Sequence, residues 1–219
     1  MSLPAPYYER DGIVIYHADC RDVLPHLEPV DLVLTDPPYG IAYRRGENKA
    51  RASAARGGIA GDADTTVRDS VLSCLRDTAQ VVFGSLYAPF PPDTRHVCVW
   101  RKRADAGLYG AEYGFRRDVE AVFLCGALPR RTVEWSSVLS GWHQERNGHP
   151  HAKPVGLCVW LADKFAGTIL DPFMGSGTTL VAARDLGRKA IGIEIEERYC
   201  EIAAKRLAQQ VFDFGETTP

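Results

Sequence analysis

Short apolar runs alternate with stretches of helical periodicity along most of the chain. Apolar runs between turn signals are typical of buried strands, whereas apolar residues three and four positions apart are typical of helices. The pattern predicts strands at residues 12–17, 31–34, 80–84, 96–100, 119–125, 167–170 and 189–193, and helices at 21–27, 64–76, 155–165, 180–186 and 196–210. Strands that alternate with helices predict an α/β fold.

Two segments interrupt this alternation. Residues 41–63 carry Arg44, Arg45, Lys49 and Arg51 among glycines and alanines, which predicts a basic loop. A solvated loop is the usual meaning of such a run, but its place after the turn at 35–40 favours contacts with phosphates. Residues 126–148 are irregular and fit either target recognition or surface packing. The length of 219 residues predicts one domain over 1–212, followed by a frayed tail at 213–219.

Composition restricts the class of protein. A hydrophobic content of 45% with 25% charged residues is ordinary for a globular protein with a full core. The net charge of −2 predicts no strong nonspecific attraction to polyanions, so contacts with nucleic acid must be local. The 6 cysteines are scattered without a C-x-x-C pair, which predicts reduced thiols in a cytosolic protein and no metal site. We find no signal peptide or membrane-spanning apolar run, and we expect no membrane partner.

The stretch at 35–40 follows a predicted strand and contains Asp36, Pro37, Pro38 and Tyr39. The two prolines have fixed φ and no N–H donors, so they end the strand in a stiff turn. Asp36 therefore lies at the carboxyl end of a strand, where open α/β sheets bind ligands. A carboxylate, a free carbonyl and an aromatic face held together suit a planar group with an exocyclic amine. An ordinary strand-ending turn is the alternative that this stretch alone leaves open.

A second stretch, at 171–179, places Gly175 and Gly177 between a predicted strand and a predicted helix. Glycines let the backbone approach a ligand closely, and the helix N-terminus offers free N–H groups. No Lys follows Gly177, which argues against a phosphate-binding P-loop, and Leu180 stands where G-x-G-x-x-G has its third glycine. Glu194 ends the strand about twenty residues on, where an acid binds ribose hydroxyls. The pocket suits an adenosine without a pyrophosphate, and S-adenosylmethionine fits that description.

Three motifs resemble those of the beta class of amino-group DNA methyltransferases. They are Asp-Pro-Phe-Met-Gly-Ser-Gly-Thr-Thr at 171–179, Thr-Asp-Pro-Pro-Tyr at 35–39 and His-Pro-His-Ala-Lys-Pro at 149–154. In that class the D-P-P-Y stretch precedes the F-x-G-x-G stretch, as it does here, and the resemblance covers nearly the whole chain apart from 41–63 and 126–148. It implies a Rossmann-like, S-adenosylmethionine-dependent methyltransferase fold with a mostly parallel sheet, helices on both faces and a permuted motif order. His151 and Ala152 depart from the usual H-P-T-Q-K-P.

The resemblance also implies roles for individual residues. Asp36, Pro37, Pro38 and Tyr39 would be catalytic. The cofactor would be bound by Asp19 and Cys20 at the adenine, Glu194 at the ribose, Asp171 near the sulfonium and amino end, Lys153 and Pro154 on the other side, and Phe173, Gly175, Ser176, Gly177 and Thr178 around the methionine part and the adenosine. For Asp19 a solvent-exposed helix cap is the alternative. The cations predicted to contact nucleic acid are Arg44, Arg45, Lys49, Arg51, Arg101, Lys102 and Arg103.

The implied reaction transfers a methyl group from S-adenosylmethionine to the exocyclic amine of a base flipped out of DNA. Asp at position 36 favours adenine N6 by family association. DNA is the expected partner, a homodimer and a cognate restriction endonuclease are further partners that the family suggests, and the expected location is the cytoplasm of a prokaryotic or phage-infected cell.

Four alternatives stay open at this point. The target could be cytosine N4, the substrate could be RNA or a protein amide, or the chain could be a catalytically silent DNA-binding module. Intact Asp36, Tyr39, Gly175 and Gly177 argue against the silent module. A nicotinamide oxidoreductase is disfavoured by Leu180.

Overall fold

The computed structural model describes residues 3–40, 64–102, 115–130, 132, 134–142 and 153–209. In chain order the elements are β1 (Tyr8–Arg10), β2 (Ile13–His17), α1 (Cys20–Val23), a 3₁₀ turn (Leu24–His26), β3 (Leu32–Thr35), α2 (Thr66–Cys74), β4 (Ala79–Gly84), β5 (Thr94–Arg101), β6 (Val119–Gly126), β7 (Val138–Leu139), α3 (Val155–Ala162), β8 (Ile169–Asp171), α4 (Thr178–Asp185), β9 (Ala190–Glu194) and α5 (Glu197–Ala208).

The described strands form one 9-stranded sheet in the order β1-β2-β9-β8-β3-β4-β6-β5-β7. Strands β2, β9, β8, β3 and β4 run parallel to one another, whereas β1 and β6 are antiparallel to their neighbours. Because β5 is antiparallel to β6, it runs in the same direction as β4. The carboxyl ends of β2, β9, β8, β3, β4 and β5 therefore lie along one edge, which we call the carboxyl edge.

Helices cover both faces of this sheet, because alternate strand residues point to opposite sides. In β3, Leu32 and Leu34 belong to one apolar cluster and Val33 to another. The first cluster contains buried residues of α3, α4 and α5, and the second contains buried residues of α1 and α2. The α/β architecture and the helices on both faces are thus confirmed.

Most predicted elements are present, and the differences have local causes. Strands β1 and β7 were not predicted, because β1 is short and exposes Glu9 and Arg10, and β7 is only 2 residues long. The helix predicted at 21–27 is divided into α1 and a 3₁₀ turn, with Pro25 in the turn. Helix α4 begins at Thr178 rather than at Leu180, directly after Gly177 in the left-handed conformation.

Residues 41–63, which include Arg44, Arg45, Lys49 and Arg51, lie outside the described part of the chain. So do Arg103, the motif residues 149–152, the whole predicted tail at 213–219 and part of the segment 126–148. Among the described residues, no helix is long and apolar enough to cross a membrane.

Candidate active site

The turn that contains Asp36 and the glycine loop leave neighbouring strands of the sheet. Strand β3 pairs in parallel with β8, so Thr35 and Asp171 end side by side at the carboxyl edge. The hydroxyl of Thr35 donates a hydrogen bond of 2.7 Å to Oδ1 of Asp171. The backbone N–H of Phe173 donates to the same oxygen, at 3.2 Å. Two motifs that are distant in sequence therefore meet at one point of the carboxyl edge.

The two glycines of the loop differ in the space that surrounds their backbone. Both have positive φ, of 49° at Gly175 and 78° at Gly177. A Cβ added at Gly177 would lie 2.7 Å from Cβ of Ala203, so this position lets the loop pack against α5. A Cβ added at Gly175 would meet nothing within 4 Å, so the backbone is accessible there. Gly175 fits the expectation of a close ligand approach. Packing against α5 explains why position 177 is glycine, and the cofactor contact predicted for Gly177 stays a prediction.

Arg206 of α5 forms hydrogen bonds with the glycine loop, which the sequence analysis did not predict. Its guanidinium donates to the carbonyl oxygen of Ser176 at 2.6 Å, to the hydroxyl of Ser176 at 3.3 Å and to the hydroxyl of Thr178 at 3.2 Å. Ser176 and Thr178 are both buried. Their hydroxyls thus have a structural role in this loop, beside the cofactor contact predicted for them.

Glu194 ends β9 next to the loop. Its carboxylate accepts the backbone N–H of Gly175 at 2.9 Å and that of Glu196 at 2.8 Å. Burial raises the pKa of Glu194 above its usual value. A carboxylate oxygen can accept a second hydrogen bond, so Glu194 retains acceptor capacity for hydroxyl groups.

Asp19 is the N-cap of α1, at the carboxyl end of β2. Its carboxylate accepts hydrogen bonds from the backbone N–H of Arg21 at 2.9 Å and from Nε of Arg21 at 3.0 Å. Burial raises the pKa of the neighbouring Cys20 to about 11, so this thiol stays protonated. The helix-cap alternative for Asp19 is therefore present in the structure, and the adenine contact stays a prediction.

Asp36 has a partner on each carboxylate oxygen. The hydroxyl of Tyr39 donates to Oδ1 at 2.7 Å, and Nζ of Lys153 donates to Oδ2 at 2.7 Å. Lys153 also donates to the Tyr39 hydroxyl at 3.1 Å. Lys153 lies just before α3, whose N-cap is Pro154. Lys153, predicted on the far side of the cofactor pocket, thus contacts the D-P-P-Y turn directly.

A second acid lies behind Lys153. Glu120 of β6 has Oε2 3.3 Å from Nζ of Lys153, and its Oε1 is paired with Lys102. Burial alone would lower the pKa of Lys153, but the carboxylates of Asp36 and Glu120 outweigh it and raise that pKa well above normal. Burial would also raise the pKa of Glu120, but Lys153 and Lys102 hold it below its usual value. Two cations and two anions thus form a charge-balanced chain.

Glu120 was missed by the sequence analysis, as was the ring of Phe83, 5.3 Å from Nζ of Lys153. The strand at 119–125 was predicted correctly, and period-two alternation places Glu120 on the same face as Val122, which packs in the cluster of α3. A charged residue on that face was the available signal. Lys102, predicted to contact nucleic acid, is paired with Glu120, and Arg101 is exposed. The nucleic-acid contacts of both residues stay predictions.

Asp171 is buried and close to Asp36. Burial raises the pKa of Asp171 to about 7, although hydrogen bonds from Thr35, Thr179 and the Phe173 backbone oppose the shift. A cation bound beside this carboxyl group would favour its ionised form. Among the described residues, no cluster of three His, Cys, Asp or Glu side chains could hold a metal ion.

Exposed aromatic rings lie beyond the carboxyl edge. Gly84 pairs with Ala121, so the residues after β4 and before β6 extend past the edge. Tyr87 is 71% exposed and Phe115 is 84% exposed. The guanidinium of Arg117 lies over the Tyr87 ring, 5.1 Å from its centroid. Ring faces and cations at such a place suit contacts with nucleic acid.

The sequence of this chain is similar to those of known proteins. Residues 96–205 match the family model described as "DNA methylase". The "Putative methylase YubD" of Escherichia coli (strain K12) is 33% identical over 82% of this chain and 82% of its own length. The "Type II methyltransferase M2.LlaDCHI" of Lactococcus lactis subsp. cremoris is 26% identical over 92% of this chain and 91% of its own length.

Solved structures share the fold. The complex of M1.HpyAVI with SAM has a TM-score of 0.62 at 24% identity, covering 89% of this chain and 99% of that chain. The PvuII DNA methyltransferase, described as cytosine-N4-specific, has a TM-score of 0.65 at 16% identity, covering 96% of this chain and 89% of that chain. With the family model matching half of its length and a relative 33% identical over most of it, the chain belongs to the N6/N4 family of DNA methylases.

Proposed function

We propose that this protein transfers the methyl group of S-adenosylmethionine to the N6 amino group of an adenine flipped out of DNA. The single observation that carries the proposal is the meeting of Asp36 with the glycine-loop motif on neighbouring strands, joined by the bond between Thr35 and Asp171. A methyl donor on one loop and an acceptor amine on the other would lie at the same edge of the sheet.

The family uses S-adenosylmethionine, which supplies a methyl group already activated on a sulfonium. The residues present suit this molecule. The accessible backbone at Gly175 permits a close approach, and Glu194 has acceptor capacity for ribose hydroxyls. Asp171 offers a carboxyl group for the positively charged end of the cofactor, and Phe173 a partly buried ring beside it.

Asp36 and the carbonyl of Pro37 would accept the two N–H bonds of the target amine. An aromatic amine is a poor nucleophile because its lone pair is delocalised into the ring. Two acceptors on one nitrogen favour the pyramidal geometry from which the lone pair can attack, and Asp36 can take the proton that the nitrogen gives up. Tyr39 would stack on the base, a contact worth roughly 1–3 kcal/mol. Pro37 and Pro38 keep the turn stiff.

Membership of the DNA methylase family and the residues exposed at the carboxyl edge both support DNA as the substrate. A base inside a duplex cannot reach Asp36, so the target must leave the stack. Tyr87, Arg117 and Arg101 lie at the same edge as Asp36 and suit the flanking strand. The basic residues of 41–63 and Arg103 are proposed to add phosphate contacts. A cognate endonuclease and a homodimer are proposed partners of the type that restriction–modification enzymes have.

The test is transfer of a labelled methyl group from S-adenosylmethionine to unmethylated duplex DNA, with RNA and protein acceptors in parallel. Nucleosides from the labelled DNA are separated by mass. We expect N6-methyladenine. Formation of N4-methylcytosine would show that the target is cytosine and not adenine. Label in RNA or protein alone would overturn DNA as the substrate.

A further inference from the structure

Asp36 is a fully engaged carboxylate in this structure. Both of its carboxylate oxygens are bonded within the protein, one by Tyr39 and one by Lys153. A carboxylate can accept additional hydrogen bonds. However, an ammonium only 2.7 Å away neutralises its charge, so Asp36 would polarise a target amine weakly. Lys153 must move if Asp36 is to act as a full negative charge.

Glu120 offers the position to which Lys153 can move. Its buried Oε2 forms an ion pair with Nζ of Lys153 at 3.3 Å, which is longer and less well aligned than the 2.7 Å bond from Nζ to Asp36. Its other oxygen is held by Lys102. A buried carboxylate oxygen with only a long, poorly aligned partner is incompletely satisfied, so a shorter bond from Lys153 to Oε2 would be favourable. A small movement of Nζ, within the reach of the Lys153 side chain, would form this bond.

The surroundings allow this movement without leaving the charge unpaired. The ammonium of Lys153 lies 5.3 Å from the centroid of the Phe83 ring and 5.7 Å from that of the Tyr39 ring, so aromatic faces line its position. The side chain of Lys153 is only 8% exposed, and water therefore competes weakly with either carboxylate. Asp36 and Glu120 are consequently the two alternative partners of one buried cation.

We propose that Glu120 is a positioning residue that receives Lys153 when the target amine binds to Asp36. With no base bound, Lys153 neutralises Asp36 and fixes its orientation. When a base enters, Lys153 transfers its hydrogen bond to Oε2 of Glu120, and Asp36 becomes a charged acceptor. Glu120 never contacts the substrate and acts through Lys153. The role in transfer rests on the proposed function, whereas the movement itself does not.

The movement is tested first by a structure of the Asp36→Asn variant. Removing the charge at position 36 imitates the loss of that partner, and methylation is not required for the readout. We expect Nζ of Lys153 to leave the side chain at position 36, from which it lies 2.7 Å in the unmodified protein, and to form a well-aligned hydrogen bond with Oε2 of Glu120. Nζ that stays on the side chain at position 36, or a Glu120 side chain that turns away, would overturn the proposal.

The role in transfer is tested by a double-mutant cycle between Glu120→Gln and Lys153→Met, measured as kcat at saturating cofactor and DNA. Glu120→Gln should lower kcat about tenfold with Lys153 present and change it by less than about twofold in the Lys153→Met background. The Glu120→Gln substitution should leave the KM for the cofactor unchanged. An equal loss in both backgrounds would show that Glu120 does not act through Lys153, and no loss in either would show that it does not act at all.

The melting temperature of each variant is measured as a control for folding. The Glu120→Asp variant, which keeps the charge, should recover part of kcat. A Glu120→Asp variant no better than Glu120→Gln would count against a charge effect. If the unmodified protein transfers no methyl group to DNA, the proposed function fails, and the Asp36→Asn structure still decides whether Lys153 changes partner.

Discussion

Thr35 and Asp171, which are 136 residues apart in sequence, share a hydrogen bond of 2.7 Å at the carboxyl edge. The bond joins the last residue of β3 to the last residue of β8. Both residues are buried, so water does not compete for this hydrogen bond. This contact fixes the distance between the turn that would hold the amine and the loop that would hold the methyl donor.

Replacing Thr35 by Val should test that link. The substitution keeps the shape of the side chain and removes the donor, which leaves Oδ1 of Asp171 with one hydrogen bond fewer. We expect a loss of about 1–3 kcal/mol in the free energy of unfolding, measured by urea denaturation. Thr35→Ser retains the hydroxyl and is the matched control. Equal losses in both variants would assign the effect to the missing methyl group instead of the bond.

The ionisation of Asp171 should make stability depend on pH. Its pKa is raised from 3.8 to about 7 in the folded protein, so the folded state binds more protons than the unfolded state between these values. This contribution to stability is fully present below pH 3.8 and is lost as the pH rises through about 7.

The measurement is urea denaturation at several pH values, for the unmodified protein and for Asp171→Asn. Between pH 5 and 7 the free energy of unfolding of the unmodified protein should fall, relative to the variant, by at most about 1.4 kcal/mol per pH unit. Parallel pH profiles for the two proteins would contradict the raised pKa.

Sequence reasoning was strongest where one residue type is required by local geometry. The prolines after Asp36 and the glycines before Thr178 mark their turns without any knowledge of the sheet, and the parallel order of strands then predicts that these turns share an edge. The shared edge is confirmed by the pairing of β3 with β8.

The contacts of Lys153 could not be predicted in the same way. Its partner Glu120 comes from β6, whose place beside β4 depends on an antiparallel insertion between β4 and β5. No local pattern specifies that strand order, and a family resemblance assigned Lys153 to the cofactor instead. Arg206 is comparable, because its bonds to the glycine loop depend on how α5 packs against α4.

Replacing Asp36 by Ala should separate chemistry from cofactor binding. The carboxylate is the acceptor proposed for the target amine, and among the described residues its hydrogen-bond partners are Tyr39 and Lys153 rather than residues of the glycine loop. We expect kcat to fall by about a hundredfold or more, as for loss of a group that acts in the transition state. The dissociation constant of S-adenosylmethionine, measured by calorimetry, should change little. Activity near that of the unmodified protein would exclude Asp36 from the reaction.

The exposed pair of Tyr87 and Arg117 should contribute to DNA binding, since the ring lies beyond the edge that holds Asp36. Tyr87→Ala removes a stacking surface worth roughly 1–3 kcal/mol, so the dissociation constant for duplex DNA should rise about tenfold in fluorescence anisotropy. Trp135 is the matched control, because Lys164 lies 5.4 Å from its ring centroid and follows the end of α3, opposite the carboxyl edge. Trp135→Ala should leave DNA affinity unchanged. Equal weakening by both substitutions would mean that the duplex does not bind at the carboxyl edge.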